Sequence, residues 1–134
     1  MLKYILFILL LVFQTQAMST EEQAKIVLHI NDTFKLIHLE ASVKNIRKEL
    51  GEDVDIKVIV NGKAVQLMLK NNKASTKIIH NILQHHVDIG LCHNAVRNNR
   101  VDIKMLIKGL RVLPKDGNVT LFNLQKAGYI YIKM

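Results

Sequence analysis

The apolar positions of the chain alternate between two kinds of pattern. Short runs that are rich in β-branched residues and bounded by polar residues are typical of strands. Five such runs are present, at residues 25–31, 54–62, 87–92, 110–114 and 129–134. Three of them are almost continuously apolar, as is expected for strands that are covered on both faces of a sheet.

The segments between these runs carry helical patterns. Residues 32–51 have apolar side chains spaced three and four apart, a capping residue at the start and Gly51 at the end. Residues 63–86 contain two shorter helical patterns with a break at the sequence NNKAS, and residues 118–128 contain another. Strands that alternate with helices predict a single three-layer α/β/α sandwich with a mostly parallel, five-stranded sheet.

The start of the chain, residues 1–17, has the layout of a cleavable secretory signal. A basic residue precedes an apolar run at residues 4–13, and a short polar segment then ends at Ala17 with small residues suited to cleavage. The run is shorter than the ~20 residues that a membrane-spanning helix needs, so no stable membrane anchor is expected. We therefore expect a periplasmic or secreted domain at residues 18–134, or a cytoplasmic one if Met18 is the true start.

Composition narrows the classes of function. The formal net charge is +8, but the lysines are spread over nearly every segment and only 5% of the residues are aromatic. A nucleic-acid-binding protein more often concentrates its basic residues on one element, with aromatic residues that stack on bases, so nucleic acid is not an expected partner. The chain also lacks a glycine-rich phosphate loop, paired carboxylates and a Ser-His-Asp arrangement, and no cofactor is expected.

The single cysteine, Cys92, lies at the end of the third predicted strand. In open parallel sheets, ligands bind beyond the carboxyl ends of the strands, where the chain turns into helices. A helix that begins at His93 would place free backbone N–H groups beside the sulfur and stabilise a thiolate there. Cys92 is therefore a candidate nucleophile, and the alternative is a buried cysteine that only packs.

The same edge of the sheet collects residues that follow the other early strands. A histidine there is often satisfied by the backbone, an asparagine often caps a helix, and an arginine often lies in solvent, so each also has a structural interpretation. The candidate binding residues around the cysteine are His29, Asn31, His93, Asn94 and Arg97.

The histidines near the cysteine raise the question of a metal site, because zinc and copper accept imidazole and thiolate ligands. His85 and His86 are predicted at the opposite end of the third strand, ~16 Å from Cys92 at the rise of an extended chain. They cannot share an ion with the thiol within one subunit. Only His29 and His93 remain as co-ligands, and no metal site is expected.

Several segments together resemble the DsrE/DsrF-like family of small sulfur-relay proteins. They are KIVLHIN with the helix that follows it, VDIKVIVNGKAVQLML, VDIGLCHNAVRNNRV, LRVLP and LQKAGYIYIKM. The most specific pieces are the C-x-N at residues 92–94 and the closing LQ-x-x-G-Y-x-Y-I at residues 124–132. The resemblance covers essentially the whole chain after the predicted signal.

This resemblance implies a subunit that assembles as a trimer or hexamer. It also implies that Cys92 accepts a sulfane sulfur as a persulfide, with a protein or a small sulfur compound as donor or acceptor. Such a protein is a carrier, and at most a sulfurtransferase-like enzyme. The alternative, from a different class of function, is a non-catalytic oligomeric module that binds a small ligand or a protein and uses Cys92 structurally.

Overall fold

The computed structural model describes residues 22–134, and the predicted signal at residues 1–17 lies outside them. The strands are β1 (Lys25–Ile30), β2 (Asp55–Val60), β3 (Asp88–Leu91), β4 (Arg111–Val112) and β5 (Ile130–Lys133). The α-helices are α1 (Leu36–Leu50), α2 (Lys73–Leu83), α3 (His93–Asn98) and α4 (Gly117–Lys126). Short 3-10 helices cover Thr33–Lys35, Gly62–Met68 and Ile103–Met105. Within the described range, no helix has both the length and the apolarity needed to cross a bilayer.

The five strands form one sheet in the order β4-β3-β2-β1-β5. Every neighbouring pair of strands is parallel, so the sheet is entirely rather than mostly parallel. Helices cover both faces, and the predicted three-layer α/β/α sandwich is confirmed. Because all strands run in one direction, the segments that follow them meet at one edge of the sheet.

Two apolar clusters fill the space between the layers. The larger cluster lies under α1, α2 and α3, and the smaller one lies under α4. The side chains of Val27 and Leu28, adjacent in β1, belong to the smaller and the larger cluster respectively. This alternation explains why the strands are apolar at nearly every position, since both faces of the sheet are covered.

The ends of the helices follow local signals. The Asp32 carboxylate accepts a hydrogen bond from the Phe34 N–H at 2.9 Å and caps the turn that leads into α1. Gly51 ends α1 with φ at 91°, in a region that residues with a Cβ atom seldom adopt. A break between two helical pieces, predicted at NNKAS, is present: the 3-10 helix ends at Met68 and α2 begins at Lys73. The Asn72 side chain accepts a hydrogen bond from the Ser75 N–H at 3.1 Å and caps α2.

Arg47 is a feature that the helical pattern did not predict. It lies on the buried side of α1 and is only 6% exposed. Its guanidinium donates hydrogen bonds to the backbone carbonyls of Val54 and His85, each at 2.7 Å. A buried charge requires such partners, and these two bonds tie the end of α1 to the segments that lead into β2 and β3.

Gly90, in β3, allows the segment after β4 to approach the sheet. A Cβ atom at position 90 would lie 2.5 Å from Cδ2 of Leu113. Leu113 is almost fully buried in the smaller cluster. The missing side chain of Gly90 therefore provides the space in which Leu113 packs.

Candidate functional site

A polar pocket of about 350 Å³ lies at the carboxyl edge of the sheet, between the segments that follow β1, β2, β3 and β4. Five asparagines contribute to its lining, and its titratable side chains are His29, Cys92 and Asp116. Within the described part of the chain, no lysine or arginine lines it. A second cavity, of about 420 Å³, lies at the opposite edge near Leu50 and Asp53, and it contains no thiol or imidazole. The chemistry therefore concentrates in the first pocket.

Cys92 directly follows β3 and directly precedes α3, as the sequence predicts. Its backbone N–H donates to the carbonyl of Val60 at 2.9 Å, which extends the pairing of β2 and β3 by one residue. The side chain is only 4% exposed, and it forms part of the wall of the pocket. The thiol is therefore close to buried, and the pocket is the side from which a small reagent reaches it.

Two groups at the start of α4 contact the sulfur. The Gly117 N–H donates a hydrogen bond to Cys92 Sγ at 3.2 Å, and the thiol donates to Oδ2 of Asp116 at 3.6 Å. The first contact favours negative charge on the sulfur, and the second favours the protonated thiol. The sequence placed the sulfur beside the helix that follows β3, but these contacts come from the helix that follows β4.

Asp116 is held by several hydrogen-bond donors. Its Oδ2 accepts from Asn94 Nδ2 at 2.8 Å, and its Oδ1 accepts from the Asn118 N–H in the first turn of α4, also at 2.8 Å. These bonds, that of Asn94 foremost, lower the pKa of Asp116 from its ordinary value. Arg97 is exposed and donates to Oδ1 of Asn94 at 3.0 Å. Asn94 and Arg97 thus form a chain behind the carboxylate rather than a lining of the pocket.

His29 lies in the pocket in its uncharged form. It is 8% exposed, and its Nδ1 lies 2.9 Å from the hydroxyl oxygen of Tyr131. Burial, assisted by the positive charge of Lys133, lowers the pKa of His29 to about 4. The imidazole is therefore neutral at pH 7 and supplies no positive charge to a thiolate at Cys92.

Asn61, which follows β2, connects His29 to the start of α4. Its Nδ2 lies 3.3 Å from Nε2 of His29 and donates to Oδ1 of Asn118 at 3.4 Å. Its amide packs directly against Gly117, where any Cβ atom would overlap it. Oδ1 of Asn61 is buried and has no hydrogen-bond partner among the described residues, so the pocket wall retains one unused acceptor.

The residues predicted from the sequence are only partly brought together. His29, Asn31 and Cys92 line the pocket. His93 does not, and its Nδ1 is buried without a hydrogen-bond partner among residues 22–134. In the same range, no three His, Cys, Asp or Glu side chains lie close enough to hold a metal ion.

The prediction did not include Asp116 or Asn118. Both follow β4 in the sequence PKDGN, and an aspartate before a helical pattern is a common N-cap. Applied to the fourth strand as well as to the first three, the rule about the carboxyl ends of parallel strands would have placed them at this edge.

No protein-family model and no curated protein matches this chain. Several solved structures share its fold, and three of them are MTH1491, BT1422 and ychN. MTH1491 from Methanobacterium thermoautotrophicum, a protein of unknown function, is 23% identical with a TM-score of 0.75, over 84% of this chain and 100% of its own. BT1422 from Bacteroides thetaiotaomicron, a conserved protein of unknown function, is 18% identical with a TM-score of 0.66. The match covers 82% of this chain and 94% of BT1422. The ychN protein from E. coli is 11% identical with a TM-score of 0.65. The match covers 84% of this chain and 99% of ychN.

These similarities define the class of the protein as a small, all-parallel, three-layer α/β/α domain. Identities of this size establish the fold alone. The function has to be argued from the pocket and from its thiol.

Proposed function

We propose that this protein is a persulfide carrier of the DsrE/DsrF-like kind, with Cys92 as the residue that accepts sulfur. The observation that carries the proposal is the hydrogen bond of 3.2 Å from the Gly117 N–H to Cys92 Sγ, at the wall of a polar pocket. A donor that points at the sulfur stabilises negative charge on the thiolate, which is the form that attacks a sulfane sulfur. The sequence resemblance to the family and the fold are consistent with this role.

The loading step transfers one sulfur atom and conserves charge. The Cys92 thiolate attacks the terminal sulfur of a polysulfide, the adjacent S–S bond breaks, and the shortened polysulfide leaves with the electron pair. The proton of the resting thiol passes to water. In the unloading step, an acceptor thiolate attacks the outer sulfur of the persulfide, and Cys92 leaves as a thiolate.

The size and lining of the pocket fit a small sulfur compound. Its volume of about 350 Å³ lies near the lower end of the range, roughly 300–1,000 Å³, for small-molecule sites. The surrounding asparagine amides offer both donors and acceptors without a fixed charge. A protein donor or acceptor would have to present its sulfur through the same opening.

Mass spectrometry of the native protein after incubation with inorganic polysulfide tests the proposal. We expect the peptide that contains Cys92 to gain the mass of one sulfur atom, and the gain to disappear on treatment with a reducing thiol. Cys92→Ser, which nearly preserves the size of the side chain, is the matched control and should gain nothing. A gain in the unfolded chain but none in the native protein would contradict the carrier function.

The near burial of Cys92 favours a second candidate function, that of a non-catalytic binding module. In this case the pocket holds a small ligand or a segment of a partner protein, and the cysteine only packs beneath it. Alkylation by iodoacetamide separates the two functions. Reaction of native Cys92 below pH 7 supports the carrier, whereas reaction only after unfolding supports the module.

The proposal includes an assembly and a location. We propose a homo-oligomer, a trimer or hexamer, that acts in the periplasm or outside the cell, or in the cytoplasm if translation starts at Met18. The signal that motivates export lies at residues 1–17, outside the described residues. The donor and the acceptor of sulfur are each a protein or a small sulfur compound.

A further inference from the structure

We propose that Asp116 is a positioning residue whose carboxylate, fixed beside Cys92, selects against anionic reagents at the sulfur. The inference rests on the proposed function only in treating Cys92 as the reacting group. Its test does not require any transfer of sulfur.

The carboxylate cannot readily turn away from the thiol. Oδ2 of Asp116 lies 3.6 Å from Cys92 Sγ and also accepts from Asn94 Nδ2 at 2.8 Å. The other oxygen is fixed by the Asn118 N–H, within the cap of α4. Arg97 holds the amide of Asn94 from behind, at 3.0 Å. The hydrogen-bonded frame therefore keeps one negative charge beside the sulfur.

The other groups around the sulfur do not offset this charge. From β1, His29 faces the pocket as a neutral imidazole. From α3, His93 does not line the pocket, and Arg97 is engaged with Asn94. From α4, the Gly117 N–H contributes a single neutral donor, at 3.2 Å. In the described part of the chain, Asp116 is thus the one charged side chain in the lining.

Two consequences follow from this arrangement. Ionisation of Cys92 would place two negative charges in contact, so the carboxylate favours the protonated thiol, which donates to it. An anionic reagent that enters the pocket must also approach the carboxylate, whereas a neutral reagent of the same size meets no such repulsion. Asp116 therefore slows reaction with every electrophile and slows reaction with anionic electrophiles most, so it also limits the rate at which inorganic polysulfide loads Cys92.

The test compares the alkylation rates of native Cys92 with iodoacetamide, which is neutral, and with iodoacetate, which is anionic, in the full chain between pH 6 and pH 9. In each reaction the thiolate attacks the methylene carbon and iodide leaves. Asp116→Asn removes the charge but keeps a residue that caps helices well. We expect the variant to react faster with iodoacetamide below pH 8. It should gain more with iodoacetate, so that the rate with iodoacetamide divided by the rate with iodoacetate falls.

Asp102→Asn is the matched control. Asp102 also caps a short helix, accepting from the Lys104 N–H at 2.9 Å, and it does not line the pocket. Its substitution should leave both rates unchanged. If Asp116→Asn does not fold, Asp116→Ser is measured by the same ratio of rates.

The possible outcomes separate this inference from the carrier function. Unchanged rates, an equal gain with both reagents, or a native thiol that reacts with neither reagent in either protein would overturn the role of Asp116. A fall in the ratio without persulfide formation in the wild type leaves Asp116 in its role and removes the carrier function. Persulfide formation in the wild type, with the ratio of the two alkylation rates unchanged in Asp116→Asn, supports the carrier function and removes the role of Asp116.

Discussion

His29 and Asp116 line the same pocket, but their surroundings keep the imidazole neutral and the carboxylate charged. Asp116 receives charge-stabilising donors from Asn94 and from the start of α4, and so remains ionised. His29 is buried against a tyrosine hydroxyl and an asparagine amide, and these neutral partners do not compensate for the loss of water. The result is a pocket with one negative charge and no positive one among its described side chains.

We predict that His29 makes the stability of the fold depend on pH. Its pKa is about 4 in the folded protein and 6.5 for an ordinary histidine. Between these values the unfolded chain binds a proton that the folded protein does not bind. Stability is therefore fully present above pH 6.5 and falls as the pH drops toward 4, by at most about 1.4 kcal/mol per pH unit.

Urea unfolding midpoints measured from pH 7 to pH 4 test this prediction. His29→Gln is the comparison, because its amide can still form hydrogen bonds but does not titrate in this range. The variant should lose less stability on acidification than the wild type. Equal losses in the two proteins would show that other groups cause the pH dependence.

At the scale of elements, the pairing of β3 with β4 shows where local pattern stops being informative. The sequence LRVLP predicts a short strand, yet only Arg111 and Val112 pair with β3. The next residue, Leu113, still donates its N–H to the carbonyl of Leu91 at 2.8 Å, and its side chain packs over Gly90. The packing of the Leu113 side chain therefore depends on a glycine more than twenty positions earlier in the chain, which no local pattern contains.

We predict that Gly90 and Leu113 are energetically coupled. Gly90→Ala should destabilise the fold by about 1–3 kcal/mol, because the added methyl group meets Leu113 at 2.5 Å. Leu113→Ala should cost about 2–5 kcal/mol through the cavity it leaves. In the double variant the methyl group enters that cavity. The loss of unfolding free energy in the double variant should therefore be clearly smaller than the sum of the losses in the two single variants.

Urea unfolding of the four proteins measures this coupling. The matched control is the same cycle with Leu121→Ala. Leu121 lies in the same apolar cluster as Leu113, but none of its atoms is among those nearest to a Cβ atom at position 90. That cycle should be additive. Additivity in the Leu113 cycle as well would mean that the close approach to Gly90 carries no energy.

Most of the fold could be predicted from the sequence, because five apolar runs separated by helical patterns leave few arrangements other than a covered parallel sheet. The position of Cys92 could be predicted for the same reason, since it depends only on where β3 ends. Arg47 could not, because an arginine on a helix is normally solvated and its carbonyl partners come from distant turns. Asp116 reaches the sulfur only through the docking of α4, which is a property of the assembled layers.

At the scale of the whole molecule, β5 is the least protected part of the sheet. Within residues 22–134 it pairs only with β1, and all four of its residues are exposed. Ile130 and Ile132 are 64% and 39% exposed. An unpaired edge with apolar side chains is a common site of association between chains. We therefore expect this edge to lie in an interface of the proposed homo-oligomer.

Light scattering of the chain without residues 1–17 tests that expectation. The wild type should be an oligomer, and the double variant Ile130→Lys, Ile132→Lys should be a monomer, because lysines on an edge strand oppose pairing. Phe122→Lys is the control, since Phe122 is 60% exposed on α4, outside the edge. A monomeric wild type, or an equal loss of mass in the control, would contradict a role for β5.

The same variant separates assembly from chemistry. Among the described residues, those that line the pocket around Cys92 include none from β5, which contacts the lining through Tyr131 and His29. The monomeric double variant should therefore still acquire sulfur at Cys92 at close to the rate of the wild type. A monomer that folds but no longer forms the persulfide would mean that a second subunit completes the site, and that the geometry within one subunit is insufficient for the proposed chemistry.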